Sequence, residues 1–136
     1  MYGVGLLTVE YPVEFTFSYE IPGRGYLFSL TWDGECLFLR ELAPGQEQQK
    51  EISPELDEWD EFWHRMDEIG LWAWYDEYMV SCDEACLEGD EWEINLVHGD
   101  MKVESNGANS YPTTFHQFLK ATEELTGIII EFIQQD

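Results

Sequence analysis

Residues 9–21, with the sequence VEYPVEFTFSYEI, decide the fold class of this chain. Every odd position in this stretch is apolar, whereas the even positions carry Glu, Pro, Thr or Ser. Because successive side chains of a β-strand point to opposite faces, this alternation predicts a strand with one buried face. Pro12 has no amide hydrogen, so we expect it at an edge or on the unpaired side of that strand.

The residues after this stretch predict an antiparallel meander over residues 6–42. A turn-forming PGRG sequence leads into a second strand at residues 26–32. The dipeptide Asp-Gly, which is typical of tight hairpins, introduces a third strand at residues 35–42. Residues 43–51 are polar and rich in Gln, and they predict a connection rather than a strand.

The middle of the chain predicts a helix over about residues 54–69. Apolar residues recur there with helical spacing and form one stripe. Ser53 and Pro54 suit the N-cap and the first helical position, and Gly70 suits the C-cap. Acidic residues in the first turn favour the positive end of the helix dipole.

The last third of the chain predicts a β-hairpin over about residues 91–105 and a helix over about 114–126 or longer. Apolar and polar side chains alternate in the first strand of the hairpin, as expected for a strand with one buried face. Thr114 and Gln117 have the spacing of a capping box at the start of the second helix.

Together these elements predict a single α+β domain spanning residues 1–136. We expect an antiparallel sheet of about five strands with two helices packed on one face. Hydrophobic residues make up 44% of the chain and aromatic residues 15%. This content supplies a core, which distinguishes the chain from an acidic disordered one.

Three short motifs in the second half carry a resemblance to other proteins. They are a Trp-x-Trp connector at Trp72 and Trp74, a glycine at position 89 before the strand that bears Trp92, and the segment SNGANSYP at residues 105–112. Over about residues 56–126 the chain resembles small uncharacterised bacterial and phage proteins with a Ser-x-Gly-x-Asn-x-Tyr-Pro motif before the last helix. The resemblance implies an α+β domain and no particular activity.

The charge of the chain restricts the class of its partners. It contains 29 Asp and Glu residues but only 6 Lys and Arg residues, which gives a formal net charge of −23. A strongly negative potential repels nucleic acid and anionic membranes, and it accelerates association with basic surfaces. We therefore expect a basic protein surface as the partner, in particular that of a nucleic-acid-binding protein, and neither direct nucleic-acid binding nor a membrane.

Acidic residues on three segments are the candidates for contact with that partner. The segments are the strand at 9–21, the solvent side of the first helix and an acidic loop at 81–90. If the fold places the strand and helix acids on one side, they form a carboxylate stripe that can imitate phosphates. Aromatic side chains after the first helix are candidate anchors. The candidates are Glu10, Glu14, Glu20, Glu55, Asp57, Glu58, Asp60, Glu61, Asp67, Glu68, Trp72, Trp74, Tyr78, Asp83, Glu84, Glu88 and Asp90.

Residues 105–112 are a further candidate for a binding loop. Gly107 and Asn109 favour left-handed backbone positions and local hydrogen bonds, and Tyr111 adds an aromatic side chain. The same residues also suit a loop that only fixes the entry of the last helix. The sequence is compatible with both interpretations.

No motif of a known enzyme class is present in the sequence. It has no nucleophile-elbow motif and no phosphate-binding glycine loop. Cys82, Cys86 and His98 have a spacing compatible with zinc, but a fourth ligand has to come from elsewhere, from Cys36, His64 or His116. We expect no metal, no cofactor and no enzymatic activity, with a small metal-dependent enzyme as the alternative.

The working hypothesis is a non-enzymatic inhibitor or immunity-type protein that resembles a DNA mimic. It would block basic nucleic-acid-handling sites, as anti-CRISPR, anti-restriction or nuclease-toxin immunity proteins do. The alternative is an accessory or structural domain whose acidity reflects solubility or adaptation to high salt. The odd number of cysteines, 3, and an N-terminus without a signal-peptide pattern favour a cytoplasmic location.

Overall fold

The structure, a computed structural model, describes residues 11–79, 89–128 and 130. These residues form an α+β fold with a seven-stranded sheet and two α-helices. The helices are α1 (Leu56–Ile69) and α2 (Phe115–Thr126). The strands are β1 (Glu14–Ile21), β2 (Tyr26–Trp32), β3 (Leu37–Ala43), β4 (Gln46–Ile52), β5 (Glu77–Met79), β6 (Glu91–His98) and β7 (Met101–Ala108).

The strand order in the sheet is β4-β3-β2-β1-β6-β7-β5. The alternating stretch identified in the sequence forms β1, which lies in the middle and pairs with β2 and β6. The predicted α+β class is confirmed, but the prediction of about five antiparallel strands is incomplete. The short strand β5 pairs with β7 in parallel, so the sheet is mixed.

Strand β4 occupies the segment that the sequence predicted to be a polar connection. It pairs with β3 along its whole length, and all of its side chains except Ile52 are exposed. An edge strand with this exposure needs no apolar alternation, and its charged side chains disfavour pairing with another chain. Because β4 is polar, its hydrophobic pattern does not predict a strand.

Both helices pack on the same face of the sheet. The ring of Phe15 lies 6.0 Å from that of Trp59 in α1, and the ring of Phe17 lies 5.2 Å from that of Phe118 in α2. Phe15 and Phe17 are two residues apart on β1 and so share a face. Within the part of the chain that is described, no helix is long and apolar enough to cross a membrane.

The caps of both helices differ from the prediction. Helix α1 begins two residues after Pro54, with Glu55 rather than Ser53 as N-cap and a capping box between Glu55 and Glu58. Thr114 is the N-cap of α2, but its side chain makes no cap hydrogen bond. The Thr114 hydroxyl instead accepts a hydrogen bond from the Trp74 indole at 3.0 Å. A tertiary contact thus replaces the predicted local one.

The first strand is shorter than its apolar alternation predicts. Pairing with β6 starts at Glu14, although the Val13 amide still donates to the Val97 carbonyl at 2.8 Å. Val13 is 70% exposed and Tyr11 49% exposed, so these odd positions lie outside the core. The Tyr11 ring stacks on Trp32, with centroids 5.4 Å apart.

Candidate functional site

The sheet has one face beneath the helices and one face that no described helix covers. We call the second surface the open face. Residues point to it where they alternate with core positions along each strand. Its residues are Glu14, Thr16, Ser18, Glu20, Leu27, Ser29, Thr31, Phe38, Arg40, Leu42, Glu47, Gln49, Glu51, Glu77, Glu91, Glu93, Asn95, Val97, Lys102, Glu104, Asn106 and Ala108.

Carboxylates crowd the part of the open face that β1 and β6 form. Glu20 lies directly opposite Glu91 in the register, and Glu93 lies opposite Ser18. Opposed residues of an antiparallel pair have Cβ atoms about 4.5–5.5 Å apart, so Glu20 and Glu91 repel each other. Among residues 11–79, 89–128 and 130, none of these three carboxylates has a hydrogen-bond or ion-pair partner.

Two shallow depressions lie side by side on this part of the open face. Each has a volume of about 460 Å³, and Glu93 and Asn106 border both of them. Glu20 and Glu91 border one depression, and Glu77 and Glu104 border the other. The surface therefore presents carboxylates around concave sites.

Positive charge next to these carboxylates is sparse. Lys102 lies 3.2 Å from Glu104, and both side chains are 61% exposed. An ion pair this exposed contributes about 0–1 kcal/mol at most. On the other half of the face Arg40 pairs with Glu47 at 3.5 Å. The described part of the open face thus keeps an excess of negative charge.

The acids of α1 lie on the far side of the molecule, because α1 covers the other face of the sheet. Most of them already have a partner within the helix layer. The pairs are Glu58 with the Glu55 amide at 2.8 Å, Asp60 with His64 at 3.7 Å, Glu61 with Arg65 at 3.5 Å and Asp67 with the Trp72 indole at 2.9 Å. The fold therefore does not join the strand and helix acids into one stripe.

The other acidic candidates have different locations. Glu14 and Glu20 belong to the open face, whereas Asp57 and Glu68 are exposed on α1. Helix α1 also contacts α2 through Arg65, whose guanidinium lies 2.7 Å from Glu124. The candidates Glu10, Asp83, Glu84 and Glu88 lie outside the described residues.

The three aromatic candidates take part in packing. The Trp72 ring stacks on Trp63, with centroids 6.2 Å apart. Trp74 packs against the core, and its indole hydrogen bonds to α2 as described above. The Tyr78 hydroxyl accepts the Tyr75 amide at 2.9 Å. Tyr75 itself is 73% exposed, so this neighbour is the accessible aromatic of the connector.

Asp90 holds the loop before α2 against the sheet. Its carboxylate accepts the hydroxyls of Tyr19, at 2.8 Å, and of Tyr111. Its backbone amide donates to the Asn109 side chain at 3.1 Å, and its carbonyl accepts the Asn109 amide at 3.1 Å. Burial, reinforced by the hydrogen bond to Asp90, raises the pKa of Tyr111 well above its ordinary value. The Asp90 carboxylate therefore serves the fold.

Gly107 allows the Trp92 indole to approach the backbone. A Cβ at this position would lie 2.6 Å from Trp92 Nε1, 2.6 Å from the Tyr78 carbonyl oxygen and 2.8 Å from the Ser110 carbonyl oxygen. Trp92 Nε1 donates to the Ser110 carbonyl at 2.8 Å. Asn109 adopts the predicted left-handed backbone with a φ of 60°, whereas Gly107 does not, so close approach and not backbone conformation explains this glycine. Residues 105–108 of the predicted loop instead extend β7. The contacts support the interpretation in which the remaining residues, 109–112, fix the entry of the last helix.

The described residues contain no group of three or more His, Cys, Asp or Glu side chains that could hold a metal ion. Cys36 is half-buried, and desolvation together with the nearby Asp33 carboxylate raises the pKa of its thiol. His98 stacks on Trp63 with ring centroids 4.1 Å apart. The other candidate ligands, Cys82 and Cys86, lie beyond the part of the chain described.

Four acids on the part of the open face formed by β1, β6, β7 and β5 were not among the predicted site residues: Glu77, Glu91, Glu93 and Glu104. The alternation of Glu91 and Glu93 with apolar residues was visible in the sequence and predicted their outward direction. The sequence did not indicate that β6 pairs with β1, and this pairing brings Glu91 and Glu93 next to Glu20. The register of β1 with β6 therefore produces this cluster of carboxylates.

Comparisons with known proteins give no assignment for this chain. A scan against protein-family models finds no match, and a search of curated proteins finds none that is significantly similar.

Proposed function

We propose that this protein is a non-enzymatic acidic binding protein whose open face binds a basic surface on a protein that handles nucleic acid. The observation that carries this proposal is the juxtaposition of Glu20, Glu91 and Glu93, which have no partner among the described residues. Their repulsion costs stability in the free protein. A cationic surface that binds here reduces this repulsion, and the gain in free energy favours a basic partner.

The biological role that fits this surface is that of an inhibitor or immunity-type protein. Sites that bind nucleic acid are rich in Lys and Arg, because phosphate neutralisation supplies much of their affinity. An acidic protein seated on such a site occupies the same cations and excludes the nucleic acid. The net charge of −23 adds long-range attraction and predicts an association rate that falls as salt rises.

A competition experiment tests this role. The protein is immobilised and used to capture binding proteins from a bacterial lysate, and each captured partner is then purified. Fluorescence anisotropy follows the binding of the partner to a labelled duplex DNA or RNA as this protein is added. We expect the labelled nucleic acid to be released, and more protein to be needed for release at high salt.

Two results would contradict the proposal. One is a captured partner that keeps its nucleic acid while bound to this protein. The other is an association rate that does not change with salt, which indicates a neutral contact. If no partner is captured and the free energy of unfolding rises steeply with salt, the alternative of an accessory domain adapted to high salt is correct.

A further inference from the structure

The open face has two unlike sides. Leu27 on β2 and Phe38 and Leu42 on β3 form an apolar side, all three half-buried and outside the hydrophobic core. Arg40 lies between Phe38 and Leu42 on β3, and its charge is paired with Glu47 on the neighbouring edge strand. Glu91 and Glu93 on β6 lie on the acidic side. Short hydroxyl side chains lie between the two sides: Thr16, Ser18, Ser29 and Thr31.

The register gives the width of this arrangement. In one row across four neighbouring strands, Leu42 lies opposite Leu27, Leu27 opposite Glu20, and Glu20 opposite Glu91. Neighbouring strands are about 4.8 Å apart, so the row changes from apolar to acidic over about 14 Å. Beyond this row β1 and β2 carry only the shorter hydroxyl side chains Thr16, Ser18, Ser29 and Thr31, and Leu27 and Glu20 close one end. We call this strip, together with its apolar and acidic sides, the groove.

We propose that this groove binds an amphipathic basic α-helix of the partner protein. A helix with its side chains is about 10–12 Å wide, so one lying along the strands contacts both sides of the groove. Its apolar residues pack on Leu27, Phe38 and Leu42, and its Lys or Arg residues face Glu20, Glu91 and Glu93. This inference rests on the proposed function, because it specifies the element that the basic partner presents.

Charge complementarity selects this occupant over two others. Nucleic acid is anionic and is repelled by the acidic side. A second copy of this chain has the same net charge of −23 and is repelled as well, and both of its helices present acids to solvent: Asp57 and Glu61 on α1 and Glu124 on α2. A basic amphipathic helix is complementary to both sides at once.

The test uses the full-length protein and two synthetic peptides. One peptide forms a helix of roughly 18 residues with Leu along one side and Lys along the adjacent side. The other has the same composition in scrambled order, so that its charges surround the helix. Fluorescence anisotropy gives the dissociation constant of each peptide for the wild-type protein and for three double variants.

The variants separate the two sides of the groove. Leu27→Thr/Leu42→Thr removes apolar side chains, and Glu91→Gln/Glu93→Gln removes carboxylates from the acidic side. Asp57→Asn/Glu68→Gln is the control, because it removes two charges from exposed positions of α1. Thermal unfolding of each variant verifies that it is folded. Should the apolar double variant not fold, the carboxylate pair and the control still test the proposal.

We expect the ordered peptide to bind more tightly than the scrambled one. Each variant of the groove should weaken this binding about tenfold or more, and the α1 control less than about twofold. Equal binding of both peptides, or an equal loss in the control, overturns the inference. If the peptide results agree but a captured partner keeps its nucleic acid, only the proposed function fails. If the protein releases the nucleic acid but contacts the partner through α1, the proposed function stands and the inference of a helix bound in the groove is wrong.

Discussion

Glu20 on β1 and Glu91 on β6 face each other directly across the middle of the sheet, two like charges in one cross-strand pair. Sheets are normally stabilised by complementary pairs at such positions, and like charges there reduce stability. The fold tolerates the pair because the helices bury a large aromatic core on the other face, which includes Phe15, Phe17 and Trp59. A surface that costs stability without serving the core is typical of a binding surface.

Neutralising one member of this pair should stabilise the protein. We expect Glu20→Gln or Glu91→Gln to raise the free energy of unfolding by about 0.2–1 kcal/mol, measured by urea denaturation at low salt. Glu68→Gln on α1 is the control, because Glu68 is exposed and not part of this pair. A loss of stability in both open-face variants would show that the register does not bring these charges together.

Adding a methyl group at Gly107 should destabilise the fold. The Cβ of Gly107→Ala would lie too close to Trp92 and to two backbone oxygens, and the backbone cannot shift as a flexible side chain does. We expect the free energy of unfolding, measured by denaturant titration, to fall by about 1–3 kcal/mol. Ala108→Ser at the next position, on the open face, serves as the comparison and should change stability little.

Removing the hydroxyl of Thr114 should leave the Trp74 indole without its acceptor. Thr114→Val keeps the shape of the side chain, and we expect it to cost about 1–3 kcal/mol of stability. Thr114→Ser keeps the hydroxyl and should behave like wild type. Equal stability of the Val and Ser variants would mean that the indole hydrogen bond contributes nothing.

The raised pKa of Tyr111 predicts a loss of stability in alkali. A group whose pKa is higher in the folded state stabilises the fold below its unfolded pKa, here 10.0, and loses this effect as the pH rises above it. Urea midpoints from about pH 9 to 11 should therefore fall more steeply for wild type than for Tyr111→Phe. Tyr75→Phe removes an exposed hydroxyl as the control and should follow the wild-type curve.

The elements that bury a regular apolar face could be predicted from the sequence. Strands β1 and β6 and the stripe of α1 follow from alternation and helical spacing, since burial imposes those periods. Strand β4 could not be predicted, because an exposed edge strand carries no apolar period. Strand β5 could not be predicted either, because its three residues are too few to show an alternation of apolar and polar side chains. The predicted capping hydrogen bond of Thr114 was wrong, because the Thr114 hydroxyl accepts a hydrogen bond from the Trp74 indole instead.

The candidate site could be predicted only in part. The excess of acid was evident, and Glu20 was among the candidates. The pairing that brings Glu20 to Glu91 joins residues far apart in the chain, and no local pattern specifies such a register. The acids of α1 were equally strong candidates in the sequence. The fold places them on the opposite side of the sheet from the open face, and most of them have partners within the protein.

The most direct test of the central claim compares two variants with the same net charge. Glu91→Gln/Glu93→Gln lies on the open face, and Asp57→Asn/Glu68→Gln lies on α1. Stopped-flow mixing with the captured basic partner at low salt gives the association rate of each. The open-face variant should associate about tenfold more slowly than wild type and the α1 variant nearly as fast as wild type. Equal rates for both variants, or a slower α1 variant, would contradict binding through the open face.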